Sequence, residues 1–137
     1  MGLFLDCEFN AFKGRLISMA IVSTDGAEFY AVLPLPANVH PWVQEHVVPY
    51  LVKEPEDEAV FRARLRMFLL KHQPGPIYAD WPEDFVHLLE AICGPNGEQL
   101  NVELDMRLIR SGELKPEVPH NALSDARALM AWHVSQS

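Results

Sequence analysis

This sequence predicts an α/β domain built on a five-stranded mixed sheet flanked by helices, and three observations predict it. A first apolar run is followed by two more joined through Asp25-Gly26, which reads as an antiparallel three-strand meander. Beyond residue 40, short apolar runs alternate with segments of helical period, the pattern of crossover-connected strands. A length of 137 residues suits one domain, residues 1–137, with a core of its own.

The elements follow in order. Leu3 to Phe9 is apolar and aromatic, a buried strand interrupted by two acids. Arg15 to Thr24 is the second strand and Glu28 to Leu33 the returning third, ended by Pro34 and Pro36. His40 to about Val48 is expected to form a short helix opened by Pro41 and closed before Pro49. Glu58 to about His72 is the clearest helix. Phe61, Leu65, Phe68 and Leu69 share one face, while Glu58, Arg62 and Arg66 form a charge ladder on another. Pro74-Gly75-Pro76 ends it, and Ile77 to Ala79 makes a short strand. Pro82 opens a helix running to about Cys93, stopped by Gly94-Pro95-Asn96-Gly97. Leu100 to Leu104 is expected as the fifth strand. A proline-bearing loop, Ser111 to Pro119, then leads to a last helix from about Ala122 to Val134.

Composition narrows the class. Apolar residues make up 49% and charged residues 22%, the balance of a soluble globular protein. No apolar run approaches the roughly 18 residues of a membrane span. Met1 to Asp6 carries no basic leader, so a cytoplasmic location is expected. The two cysteines, Cys7 and Cys93, have no partners at metal-site spacing, and Cys7 is expected as a small buried hydrophobe. A net charge of −8 argues against tight binding of long nucleic-acid tracts. It does not exclude carboxylate chemistry, because acids gathered around divalent cations are neutralised by them.

Three groups of residues carry candidate chemistry. Asp6 and Glu8, two apart on a strand, share one face, and two acids in a segment as apolar as LFLDCEF need neutralising. Hard divalent cations do this with oxygen ligands; solvation, or pairing with Lys13 or Arg15, is the bland alternative. His120-Asn121-Ala122-Leu123-Ser124-Asp125 places a histidine before a helix and an acid in its first turn. The helix dipole is expected to keep Asp125 ionised, and the imidazole can accept a proton from water. The alternative is an ordinary helix-start acid near an exposed histidine. At the strand-to-helix junction, Asp80 has a bland explanation as a capping box with Glu83, and Asp84 has none.

Read in order, these pieces are Asp-x-Glu on the first strand, an Asp at a mid-chain helix start, and His-x4-Asp at the last helix. That order resembles the DEDDh exonucleases, the family of ribonuclease T and the bacterial polymerase proofreading subunit, whose fold is ribonuclease H-like. The matching motifs reach from Asp6 to Arg127. The Trp42, Glu45-His46-Val47 and Pro49 pattern is most similar to the compact bacterial, mycobacterial and phage exoribonuclease branch. The middle motif departs from the family, which reads Asn, three residues, then Asp preceded by Phe. Here Asp80 stands at the Asn position and Glu83 at the Phe position, and Asp84 is preferred to Asp80 as the fourth carboxylate.

The resemblance implies a 3′–5′ exonuclease releasing nucleoside 5′-monophosphates. Two magnesium or manganese ions would be held by Asp6, Glu8, Asp84 and Asp125, with His120 as general base. The expected partner is the 3′ end of single-stranded RNA or DNA, with RNA favoured by the compact branch. No C-terminal substrate-binding element is expected. The resemblance also implies a homodimer, for which the helix from Glu58 to His72 is a candidate surface. Phe9, Phe12 and Trp81 are candidate base stackers, with Phe9 better explained as core. Lys13, Arg15 and Arg127 are candidate phosphate contacts. Two other classes stay open: a non-catalytic module on the same fold, and a hydrolase confined to short oligonucleotides or small phosphoesters.

Overall fold

A computed structural model describes residues 2–72, 75–93, 96–98 and 102–137. Strand β1 (Leu3–Phe9) pairs antiparallel with β2 (Leu16–Ser23), which pairs antiparallel with β3 (Glu28–Val32). β4 (Pro76–Ala79) lies parallel to the free side of β1, and β5 (Asp105–Leu108) parallel to β4. The order β3-β2-β1-β4-β5 makes an open mixed sheet, so the expected α/β class and the antiparallel meander are present. The Asp25-Gly26 turn forms as its chemistry demands: Gly26 takes φ +96°, and Asp25 Oδ1 accepts the Ala27 N–H at 2.9 Å.

Helices cover both faces. All eight residues of β2 are buried, the mark of a strand packed on both sides. On one face, α2 (Glu58–Lys71) inserts Phe61, Leu65 and Leu69 against Leu5, Met19 and Ile21, and α3 (Pro82–Ile92) adds Leu88. On the other, α4 (Ala122–Ser135) lays Ala122, Ala126 and Leu129 on Phe4, Ala20 and Val22. Two small alanines and a leucine at helical spacing let α4 lie close to β1 and β2. Helix α1 (Pro41–His46) rests Val43 on Ile17 and Val32. Among the described residues no helix is long and apolar enough to cross a membrane.

Three expectations are corrected. The fifth strand is Asp105–Leu108 rather than Leu100–Leu104, of which Leu100 and Asn101 lie outside the described residues. Val102 and Leu104 pack on the core ahead of the strand, while every residue of β5 is exposed at the sheet edge. An edge strand paired on one side needs no apolar run, so periodicity placed it too early. The helix expected to reach Val48 stops at His46, and a 3₁₀ turn, Val48–Tyr50, takes in Pro49. Proline fits a first-turn position, where no N–H is required. The Asp80–Glu83 capping box does not form: Trp81 occupies the cap position, and Asp80 lies one residue outside it. The stop signal after α3 includes Gly94 and Pro95, and the one before β4 includes Pro74; these three lie outside the described residues.

Candidate active site

The strand period sends Leu3, Leu5 and Cys7 to the α2–α3 face, with Phe4, Asp6 and Glu8 on the face of α4. The parallel register Leu3↔Ile77 and Phe4↔Tyr78 carries forward two residues to set Asp6 beside Asp80, just past the end of β4. β1 has an antiparallel neighbour on one side and a parallel one on the other, so its carboxyl end is where a ligand crevice is expected. A pairing irregularity between Glu8 and Phe9 falls at this point. Such bulges often sit beside active sites.

The carboxylates meet there. Asp6, Glu8 and Asp125 each offer one oxygen, all within 4.8 Å of one another, and Asp6, Asp80 and Asp84 do the same. Asp6 belongs to both groups. Asp84 and its alternative, Asp80, thus lie in one group with Asp6. Asp80 is steadied by the Ser111 hydroxyl, which donates to its Oδ2 at 2.8 Å. Oδ2 of Asp6 and Oδ2 of Asp84 are buried with no hydrogen-bond partner. Such orphaned acceptors are costly unless something satisfies them.

Among the described residues, no side chain or backbone group does so. The cleft measures about 900 Å³, and no lysine or arginine among the described residues lines it. Burial first, then Asp84 and Glu8, push the Asp6 carboxyl well above the usual range. Burial and the adjacent Asp125 raise Glu8, and burial with Asp80 raises Asp84. Burial raises Asp125 as well, against a hydrogen bond with Glu8 and the nearby His120, which both favour its charge. Protons or divalent cations are what this donor set accepts. Five carboxylate residues supplying oxygen ligands could hold a hard divalent cation.

His120 lines the same cleft, delivered by the loop ahead of α4 with φ +67°. Asn121 anchors it and was not singled out in the sequence. Its Oδ1 accepts the Ser124 N–H at 3.0 Å, while its Nδ2 donates to Tyr50 O at 2.7 Å and Tyr30 Oη at 3.3 Å. An asparagine directly before a helical run was the available signal. Asn121→Ala is expected to cost about 2 kcal/mol, read as a lower urea midpoint with unchanged slope.

The remaining candidates divide. Trp81 (55% exposed) and Phe12 (73%) line the cleft, with the Lys13 ammonium 5.4 Å from the centre of the Phe12 ring. Phe9 also reaches it, but packs on the core with its ring 4.7 Å from His87, so its packing role stands. Arg127 does not line it. Two residues beyond Asp125 the helix has turned about 200°, and the guanidinium is held by Glu28 at 2.6 Å on both nitrogens. Lys13 and Arg15 line a separate cavity of about 380 Å³ against α2 and α3. Glu83, freed from capping, accepts the Lys13 N–H at 2.9 Å. Cys7 is buried as expected, and its Sγ–H faces Asp84 O at 3.9 Å. No family model matches this chain and no curated protein matches it, so its own residues carry the functional reading.

Proposed function

We propose that this chain is a divalent-cation-dependent 3′–5′ exonuclease acting on single-stranded RNA, with a ribonuclease H-like fold of the DEDDh kind. One observation carries the reading: Asp6 stands in two carboxylate triads at once, its inner oxygen buried and unpartnered. Asp6 with Glu8 and Asp125 would hold one cation, and Asp6 with Asp80 and Asp84 the other. Magnesium or manganese, when bound, supplies an activated water and offsets the charge that builds on the scissile phosphate.

The chain's own residues do the rest. His120 takes the proton from the attacking water, the role for which an imidazole at the rim of an acidic cleft is suited. Trp81 and Phe12 offer ring faces to bases, a contact that tolerates any sequence. The products are a nucleoside 5′-monophosphate and a strand shortened by one residue with a free 3′ hydroxyl. RNA rather than DNA follows from the resemblance to the compact branch.

A cleft lined by no lysine or arginine among the described residues grips little beyond the terminal nucleotides, which favours short oligonucleotides as a second reading. Labelled single-stranded RNA, single-stranded DNA and dinucleotides, each with and without manganese, separate the classes. A ladder shortening from the 3′ end of RNA supports the main reading, and cleavage confined to dinucleotides the second. No cleavage with any cation leaves a binding module. His120→Ala is expected to retain manganese binding while slowing turnover about 100-fold. A rate equal to the parent's across pH 6–9 removes His120 as the base.

A further inference from the structure

Helix α1 meets the loop preceding α4 at one rim of the acidic cleft, and the contact is made of rings. His120 presents its imidazole to the indole of Trp42, with centroids 5.1 Å apart and planes at 80°. His46 stacks on the same indole at 4.6 Å and 19°, and its own ring lies 6.2 Å from that of His120. The His46 ring is itself pinned: Nδ1–H donates to Trp42 O at 3.0 Å, one turn back. At the other end of α1, the Trp42 N–H donates to Nδ1 of His40 at 3.2 Å, capping the helix. The indole is thus backed by a ring and carried on a capped helix.

His120 needs such a support. Its left-handed backbone costs a non-glycine residue about 1–3 kcal/mol and persists only where the surroundings over-determine it. Asn121 fixes the backbone next to it, but its hydrogen bonds do not reach the imidazole. Among the described rings, those facing the imidazole belong to Trp42 and His46. Neither residue belongs to a carboxylate triad.

We infer that Trp42 is a positioning residue for the His120 imidazole, with His46 as the backing that holds the indole in place. The inference rests on the reading of His120 as the base. An edge-to-face ring contact of this kind limits the orientations open to the imidazole. Trp42 is also 47% exposed and lines the cleft, so a base-stacking surface is the rival role. The two roles separate kinetically, because stacking moves KM and positioning moves kcat.

The test is a double-mutant cycle on labelled RNA with manganese. Trp42→Ala and His46→Ala are each expected to lower kcat about 10- to 100-fold while KM stays within about twofold. Trp42→Phe restores most of the loss. In a His120→Ala background, Trp42→Ala has no further effect, because the group it positions is gone. A second readout needs no turnover: side-chain carbon-13 relaxation in the metal-free protein shows an ordered His120 ring that becomes mobile in Trp42→Ala and stays ordered in Trp42→Phe. A raised KM with unchanged kcat, an undiminished Trp42→Ala defect without His120, or a ring equally ordered in both variants overturns the inference. Wild-type protein inactive on every substrate sinks the exonuclease reading instead, and the relaxation comparison still decides the positioning.

Discussion

Asp6→Asn is expected to cut manganese-dependent hydrolysis of a 3′-overhang RNA about a thousandfold, a loss of about 4 kcal/mol in transition-state stabilisation, while the chain stays folded. The size follows from the place of Asp6 in both carboxylate triads: one substitution disables two cation positions, whereas Glu8, Asp80, Asp84 and Asp125 each serve one. An amide keeps an oxygen ligand but loses the charge, so cation affinity falls even though the shape is preserved. Folding is expected to survive because Asp6 makes no ion pair among the described residues, and its inner oxygen has no hydrogen-bond partner there. Its ionisation is opposed by burial and by four neighbouring acids, so a neutral side chain relieves repulsion in the metal-free protein. Single-turnover rates on labelled RNA, with circular dichroism of the same preparation, check both halves. A rate within a few-fold of wild type would remove carboxylate-held cations from the chemistry.

Without cations, the protein is expected to lose stability as pH rises from about 4 to about 9. Asp6, Glu8, Asp84 and Asp125 all have folded-state pKa values above the ordinary carboxylate range, with Glu8 pushed up to about 9 and Asp84 to about 8. Through this window the unfolded chain has released protons that the folded chain retains. Stability therefore falls with pH until the folded carboxyls also ionise. At acid pH, below the ordinary range, the contribution of these groups is present in full. Cations reverse the trend by binding the charged form and displacing the protons, so manganese should help more at pH 8 than at pH 5. At a concentration about 100 times its dissociation constant the gain is about 2.7 kcal/mol, or about 10 °C in Tm for a domain of this size. Thermal melts in EDTA and in manganese at both pH values test this. A metal-free Tm that does not change between pH 5 and 9, or no gain from manganese at pH 8, would contradict a neutral acidic cluster awaiting cations.

Some of this architecture was legible because it is local. Alternation on LFLDCEF put Asp6 and Glu8 on one face, and the i, i+4 pattern in α2 placed Phe61, Leu65 and Leu69 inward; neither depends on distant residues. The Asp25-Gly26 turn demanded its backbone conformation from two residues alone. β5 was misplaced because an exposed edge strand carries little apolar signature, and its position is set by the free side of β4. Arg127 looked like a phosphate contact in linear order, but helix rotation carried it to Glu28, 99 residues away along the chain.

By itself, then, the sequence determined the α/β class, the meander and the faces on which the main acids lie, since periodicity and turn chemistry act over a few residues. Only the tertiary structure decided that Asp80 and Asp84 share one group with Asp6, that no lysine or arginine among the described residues lines their cleft, and that Trp42 meets His120. Those relations depend on the register of β4 against β1 and on where α1 and α4 pack, and both are set by burial across the whole sheet rather than by any local run of residues.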